Sequence, residues 1–439
     1  MRLYPTDLNE AEFNSRMSIL CQEIIGTKNI KKIKSDLFRS LLNRNDYLSS
    51  IELYSISDAI YRLKNPSNVP WFNDLGRTII QFNDIAISSK IYEMISASMF
   101  CEHHNVELSD VSQPGYDFTI HNDDLSIRVS CKKLLRSDEH RQFIIDCDKL
   151  HERLINRSAC HGKNAYQFNL ISNATYNSKS SEIHTVGNHV EEIFRGFENS
   201  NNHKFLCGSR NTMAAILPLN VWTDGWLFSK DDISAVTRVS YSFSASEQTR
   251  FENLFRRAAK NLKKHTKNAT NTSINMIMIG LPEYVSLAIA EKWVNSKFIN
   301  DYSSIALVLL HRSVPCRDPK NPSDTVISNE FKFIINQQYP NLSVELLKSM
   351  KLNITVPFGT ISFSDSTMVF MDENGNSLTI DGCFVYQKGI VHLVRPLAEG
   401  NYSIPGHYGI EVKAKVFTGN KYHPLPLPER PMPESFVYL

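Results

Sequence analysis

The most apolar windows of this chain are short. Ile274–Leu281 and Ile305–Leu310 are strand-sized, well below the length a helix needs to cross a membrane. They stand among amphipathic segments. Ser244–Ala245–Ser246–Glu247 forms a capping box and opens a helix to about Lys267. Phe251, Leu254, Phe255, Ala258, Ala259 and Leu262 make its apolar stripe. Ile274–Leu281 then reads as a strand, Glu283–Val294 as a helix and Ser303–Leu310 as a strand. Helices alternating with strands are the pattern of an α/β sheet.

The same periodicities organise the rest of the chain. Residues 1 to 80 read as helical, with Leu37, Leu41 and Leu42, and then Ile51, Leu53, Ile56 and Ile60, at helical spacing. Asn65–Pro70 is a turn cluster and an expected boundary. Asp84 to His104 reads as one amphipathic helix, with Ile85, Ile91, Ile95, Met99 and Phe100 on a shared face. Tyr116–Ile120 and Leu125–Leu134 alternate as strands around the polar turn His121–Asp124. Asp138–Leu154 reads as a helix and Asn164–Ile171 as a strand. From Ile85 to Ser172 the order is therefore helix, strand, strand, helix, strand. Asn199–Arg210 reads as a loop and Met213–Leu217 as a strand. Past the Pro- and Asp-rich Arg317–Ser323 and a helical stretch at Ser343–Met350, Leu352–Val416 is a series of short alternating segments. The expected architecture is α/β, with a mixed central sheet flanked by helices. Its expected parts are a helical N-terminal region (1–80), the α/β domain (81–325) and a β-rich C-terminal domain (326–439).

Charge narrows the partners. The 439 residues carry 48 basic and 46 acidic side chains, a net charge of +2, so any nucleic-acid surface must be a local patch. The N-terminus shows no apolar core of a signal peptide, and the eight cysteines include no CxxC pair. The expectation is a cytoplasmic chain with reduced thiols and no membrane partner.

One stretch holds chemistry-bearing residues in a usable order. Glu93 lies on the helix, Asp117 opens the first strand after Gly115, and Ser130–Cys131–Lys132 closes the second. Residues i and i+2 of a strand face one way, so Ser130 and Lys132 share a side that Asp117 can join. Phosphodiester hydrolysis needs an activated water and a stabilised pentacovalent phosphate. Magnesium held by carboxylates does both, and a neighbouring lysine orients the water and offsets developing charge.

This layout resembles the PD-(D/E)xK nuclease superfamily, over about a fifth of the chain. The resemblance implies a restriction-endonuclease-like core, Mg²⁺ or Mn²⁺ as cofactor, and metal-ligand roles for Glu93 and Asp117. It implies a catalytic role for Lys132 and a ligand role for the backbone carbonyl of Cys131. Where the family carries an acidic residue, this chain has Ser130. A serine is a weak neutral ligand for a hard cation. Either another acid substitutes (Glu93, or Asp123 or Asp124 of the turn), or the site is inactive and the fold serves to bind nucleic acid or to scaffold a partner complex. By analogy alone, such a nuclease would serve a bacterial restriction or antiphage system, acting on DNA in preference to RNA. A protein partner would bind through the N- or C-terminal region.

Three further features carry two readings each. Arg250, Arg256, Arg257, Lys260, Lys263, Lys264 and Lys267 lie opposite the apolar stripe of the capped helix. They form either a solvated face or a phosphate track, with Arg256, Lys260, Lys263 and Lys264, together with Lys133, as the substrate-binding candidates. Ala259–Lys260–Asn261–Leu262 ahead of Ile274–Leu281 also resembles the helix and strand that follow the core in such nucleases. Cys101, His103 and His104 sit close together, but Cys160–His161 and His184/His189 do not complete a zinc-ligand spacing. Trp222, Trp226 and Phe228 read as core rather than a base-stacking platform. No GxxxxGK[ST], GxGxxG or GxSxG pattern is present.

Overall fold

A computed structural model describes residues 4, 8–109, 115–122, 125–160, 166–178, 182–188, 204–209, 212–218, 235–242, 244–265, 273–298, 302–317, 325–339, 354–355, 359–361, 368–371, 377–380, 382–388, 391–394, 400–404, 412–416 and 423–426. They fall into two compact units. The first takes the described residues of Met1–Leu135 and Gln248–Ser364, the second those of Arg136–Glu247 and Asp365–Pro431.

The first unit opens with helices α1 (Glu10–Ser18), α2 (Asp36–Asn43), α3 (Tyr47–Leu63), α4 (Val69–Gln81) and α5 (Asp84–Ser98). Asn9, Ser35, Asp46 and Asn83 cap four of them by accepting from backbone N–H groups of the first turn. Asn65–Pro70 is no domain boundary. It makes a single 3₁₀ turn whose Asn68 side chain donates to Leu63 O at 2.7 Å, and α4 starts directly after it.

The sheet of this unit has seven strands: β1 (Asn105–Leu108), β2 (Phe118–Asn122), β3 (Leu125–Lys133), β8 (Ser273–Leu281), β9 (Leu307–Arg317), β10 (Thr325–Ile335) and β11 (Gly359–Ile361), in that spatial order. β2 runs antiparallel to both β1 and β3, β8 and β9 continue parallel to β3, β10 turns back, and β11 lies parallel to β10. The sheet is mixed and flanked by helices. Ile87, Ile91, Met94 and Ile95 of α5 share one core with Phe118, Ile120, Ile127, Val129, Met276 and Met278. Each such side chain contributes about 1.5–3 kcal/mol by leaving water. Ile85, placed by periodicity on the same face, is 55% exposed at the start of the helix. Toward the other face lie α8 (Ala245–His265) and α9 (Leu287–Phe298), in contact through Phe251 and Trp293 at 5.3 Å. β8 is buried along nearly its whole length, as its continuous apolar run requires when both faces are covered.

The order of pairing differs from the reading of residues 85–172. The strand beside β3 is β8, in parallel register from Ser126↔Ser273 to Lys133↔Gly280. The segments that follow β3 in sequence, α6 (Asp138–Cys160) and β4 (Tyr166–Thr175), belong to the second unit. That unit contains α7 (Glu182–Asn188) and a five-stranded sheet. Its strands are β4, β5 (Lys204–Ser209), β6 (Thr212–Pro218), β7 (Ala235–Ser242) and β14 (Cys383–Lys388), in the order β14–β7–β4–β6–β5. β5 stands where a loop was expected over Asn199–Arg210. It forms because it pairs antiparallel with β6, the next strand in sequence, in a hairpin that the polarity of the segment does not reveal. The short C-terminal strands are shared out. β11 joins the first sheet and β14 the second, while β12 (Met368–Met371) and β13 (Ser377–Ile380) pair with each other. Ser343–Met350 and the Trp222–Phe228 cluster lie outside the described residues. No described helix is long and apolar enough to cross a membrane.

One glycine sets how closely α5 meets the sheet. A Cβ at Gly280 of β8 would lie 2.6 Å from Cζ of Tyr92 on α5, a fully enclosed ring with nowhere to move. We expect Gly280→Ala to destabilise the protein by about 1–3 kcal/mol in urea unfolding, because overpacking must shift the helix or the ring. An unchanged midpoint would contradict this packing.

Candidate active site

The residue after Tyr92 is Glu93, so the seating of α5 on Gly280 also fixes where that carboxylate stands. Asp117 is placed by backbone bonds on both sides. Its N–H donates to Val129 O at 2.8 Å and its carbonyl accepts from Ser109 N at 3.1 Å, extending the ladder beyond β2. The antiparallel register Phe118↔Val129 then leaves Asp117 opposite Ser130.

Three donors converge on one oxygen. Asp117 Oδ2 accepts from Cys131 N at 2.6 Å, from Lys132 Nζ at 3.2 Å and from Ser130 Oγ at 3.3 Å. Lys132 Nζ also donates to the carbonyl of Cys131 at 2.6 Å. The group lies at the surface of the unit without being open. The Asp117 side chain is 20% exposed, Lys132 25% and Glu93 22%.

Glu93 carries the strongest electrostatic signal. Burial, and then the negative charge of Asp117, push its pKa up to about 8, although Lys90 and Lys132 pull the other way. Burial opposes the charge on Lys132, but Asp117 and Glu93 outweigh it and raise the ammonium above its ordinary value. Burial and the same two carboxylates keep the Cys131 thiol protonated, well above its usual range. Two carboxylates share a half-closed site with the Lys132 ammonium. Burial, more than the charge of Asp117, makes Glu93 hold its proton.

The structure thus brings Glu93, Asp117, Ser130, the Cys131 carbonyl and Lys132 into one group. It leaves the other candidates apart. Lys133 turns to α5 and donates to Ser88 Oγ at 2.9 Å. Arg250 donates to Leu135 O at 2.7 Å and ties the start of α8 to the exit of β3. From there the helix carries exposed Arg256, Lys260, Lys263 and Lys264 away, about 9 to 21 Å along its axis at 1.5 Å per residue. Asp123, Asp124 and Lys267 lie outside the described residues. Of the zinc candidates, Cys101 donates to Ala97 O, His103 meets Thr355 and His184 pairs with Asp146 at 3.2 Å. His161 and His189 are outside the described residues. No group of three or more His, Cys, Asp or Glu side chains able to hold a metal occurs among the described residues.

Sequence reasoning missed two members of the site. Lys90 lies 3.4 Å from Asp74 and 3.9 Å from Glu93, with its ammonium 4.3 Å above the Trp71 ring. Burial works to raise Asp74, yet Arg77 and Lys90 hold it below the ordinary carboxylate value. The spacing of Lys90 and Glu93, three residues apart on one helix, was the only signal for this pair. Comparison with family models, curated proteins and solved structures finds no match for the chain.

A raised carboxyl makes stability fall as pH rises. Between the ordinary value of 4.5 and about 8, the folded chain holds a proton on Glu93 that the unfolded chain has released. Stability from this group is therefore full below pH 4.5 and lost progressively up to about 8. In chelator, we expect Glu93→Gln to gain on the wild type as pH rises from 5 to 8.5, by on the order of 4 kcal/mol at most. Thermal unfolding at a series of pH values checks this. Parallel profiles for the two proteins would contradict it.

Proposed function

We propose that the chain is a divalent-metal-dependent nuclease of the PD-(D/E)xK type, with Glu93 supplying the carboxylate that Ser130 lacks. The observation that carries this reading is geometric: Cys131 N, Lys132 Nζ and Ser130 Oγ converge on Asp117 Oδ2, and the Lys132 ammonium also meets the Cys131 carbonyl. The donors also suit a hard cation: two carboxylates and the Cys131 carbonyl, all oxygen, in a site of partial exposure. The helix–three-strand–helix–strand order of α5, β1, β2, β3, α8 and β8, with β3 and β8 parallel, supports the restriction-endonuclease-like core. In this reading the second unit enters the nuclease-like core between β3 and the body of α8, over Arg136–Glu247, and again after β11, over Asp365–Pro431.

Asp117, Glu93 and the Cys131 carbonyl would hold Mg²⁺ or Mn²⁺, which supplies an acidified water and a neutralised phosphate oxygen. The chain's own residues do the rest. The Cys131 N–H and Ser130 hydroxyl orient Asp117 by donating to Oδ2. Lys132 presents its ammonium to the non-bridging oxygens of the phosphate and steadies the attacking water. Arg256, Lys260, Lys263 and Lys264, exposed along α8, would track phosphates further along the strand and make binding salt-dependent. DNA is the favoured substrate over RNA. A cytoplasmic setting, and a partner docking on the N- or C-terminal region, belong to the same proposal.

One observation favours a second reading. Ser130 is almost fully buried and gives Asp117 a hydroxyl where a third acid would stand. A site with that loss would bind nucleic acid, or scaffold a complex, without cutting. Plasmid nicking in Mg²⁺ and in Mn²⁺ separates the two. We expect cleavage by the wild type, a loss of at least about 100-fold in Asp117→Ala and in Lys132→Ala, and a gain in Ser130→Glu. Salt-sensitive binding without cleavage in any variant would favour the second reading.

A further inference from the structure

The lysine of this site stands where a metal would stand. Lys132 Nζ lies 2.6 Å from the Cys131 carbonyl and 3.2 Å from Asp117 Oδ2. Those are two of the oxygens assigned to the ion. The stem bends back so that the ammonium bonds the carbonyl of the residue before it, a posture that serves neither a water nor a phosphate. Two cations cannot share these oxygens.

We propose that the Lys132 ammonium is the resident cation of this site, holding it neutral and idle, and that a divalent ion binds by ejecting it. The inference rests on the metal-dependent reading and adds a regulatory step to it. The lysine is a quarter exposed, so its amine has a route outward. Ejection sends the charge to the solvent side of the ion, where a polynucleotide phosphate arrives. Metal loading and delivery of the catalytic amine thus become one event. Ser130 strengthens the lock. With no acid at that position the ion has fewer oxygens with which to displace the ammonium, and it loads weakly.

Competition makes two measurements move together. Mn²⁺ binding followed by electron paramagnetic resonance should tighten at least about 10-fold in Lys132→Met, which leaves the oxygens in place and removes the competitor. In the wild type, brief acetylation read by mass spectrometry should show Lys132 at least about five-fold more reactive with saturating Mn²⁺ than in chelator. Lys64 and Lys332, paired with Glu23 and Glu291, serve as internal references, and Asp117→Ala should abolish both the Mn²⁺ signal and the rise. Circular dichroism confirms that each variant is folded. If the wild type binds Mn²⁺ through Asp117 but Lys132 reactivity is unchanged or falls, the inference is overturned while the metal site stands. If the wild type, Lys132→Met and Ser130→Glu all fail to bind Mn²⁺, the inference and the nuclease reading fall together.

Discussion

Two carboxylates enclosed side by side require a positive charge between them, and the region around Glu93 and Asp117 is arranged around that requirement. Glu93 and Asp117 approach because α5 seats its Tyr92 ring directly on the backbone of Gly280. Asp117 is held by main-chain bonds to β1 and β3, so it cannot retreat. The repulsion is met in two ways. Lys132 places its ammonium on Asp117, and Glu93 keeps a proton far above the usual carboxylate range. Lys90, braced by Asp74 and lying over Trp71, adds a further positive charge on the helix side. The neighbouring groups thus answer one electrostatic problem that a divalent ion would solve more completely.

Much of this was legible in the chain, for identifiable reasons. β8 announces itself because a strand covered on both faces must be apolar throughout. β3 is readable because Ile127, Val129 and Cys131 alternate with Arg128, Ser130 and Lys132. Glu93, Asp117 and Lys132 stand out through the resemblance of their order to a nuclease layout, not through periodicity, and they lie in one group. The partner of β3 was not legible. Periodicity tells a strand from a helix but not which strand lies beside which. Asn164–Ile171 comes next in sequence and reads as part of the core, whereas the strand actually paired, β8, lies past the Arg136–Glu247 part of the second unit. β1 is four residues long, too short to stand out from its surroundings.

The basic helix shows the same limit from another side. Its apolar stripe settles that α8 exists and which face it buries, and Phe251, Phe255, Ala258, Ala259 and Leu262 are indeed enclosed. Composition says nothing of direction. The helix is anchored near the exit of β3 by Arg250, and Arg256, Lys260, Lys263 and Lys264 follow that anchor along its exposed face, outside the hydrogen-bonded group around Asp117.

The central claim is that Asp117, Glu93 and the Cys131 carbonyl form one cation site now filled by Lys132. Crystals soaked in Mn²⁺ and measured at its anomalous edge test it most directly. The account predicts a peak about 2.1 Å from a carboxylate oxygen of Asp117 and from the Cys131 carbonyl, with the Lys132 amine swung outward. Saturating Mn²⁺ that leaves no peak there, with Lys132 still bonded to Asp117, would contradict it.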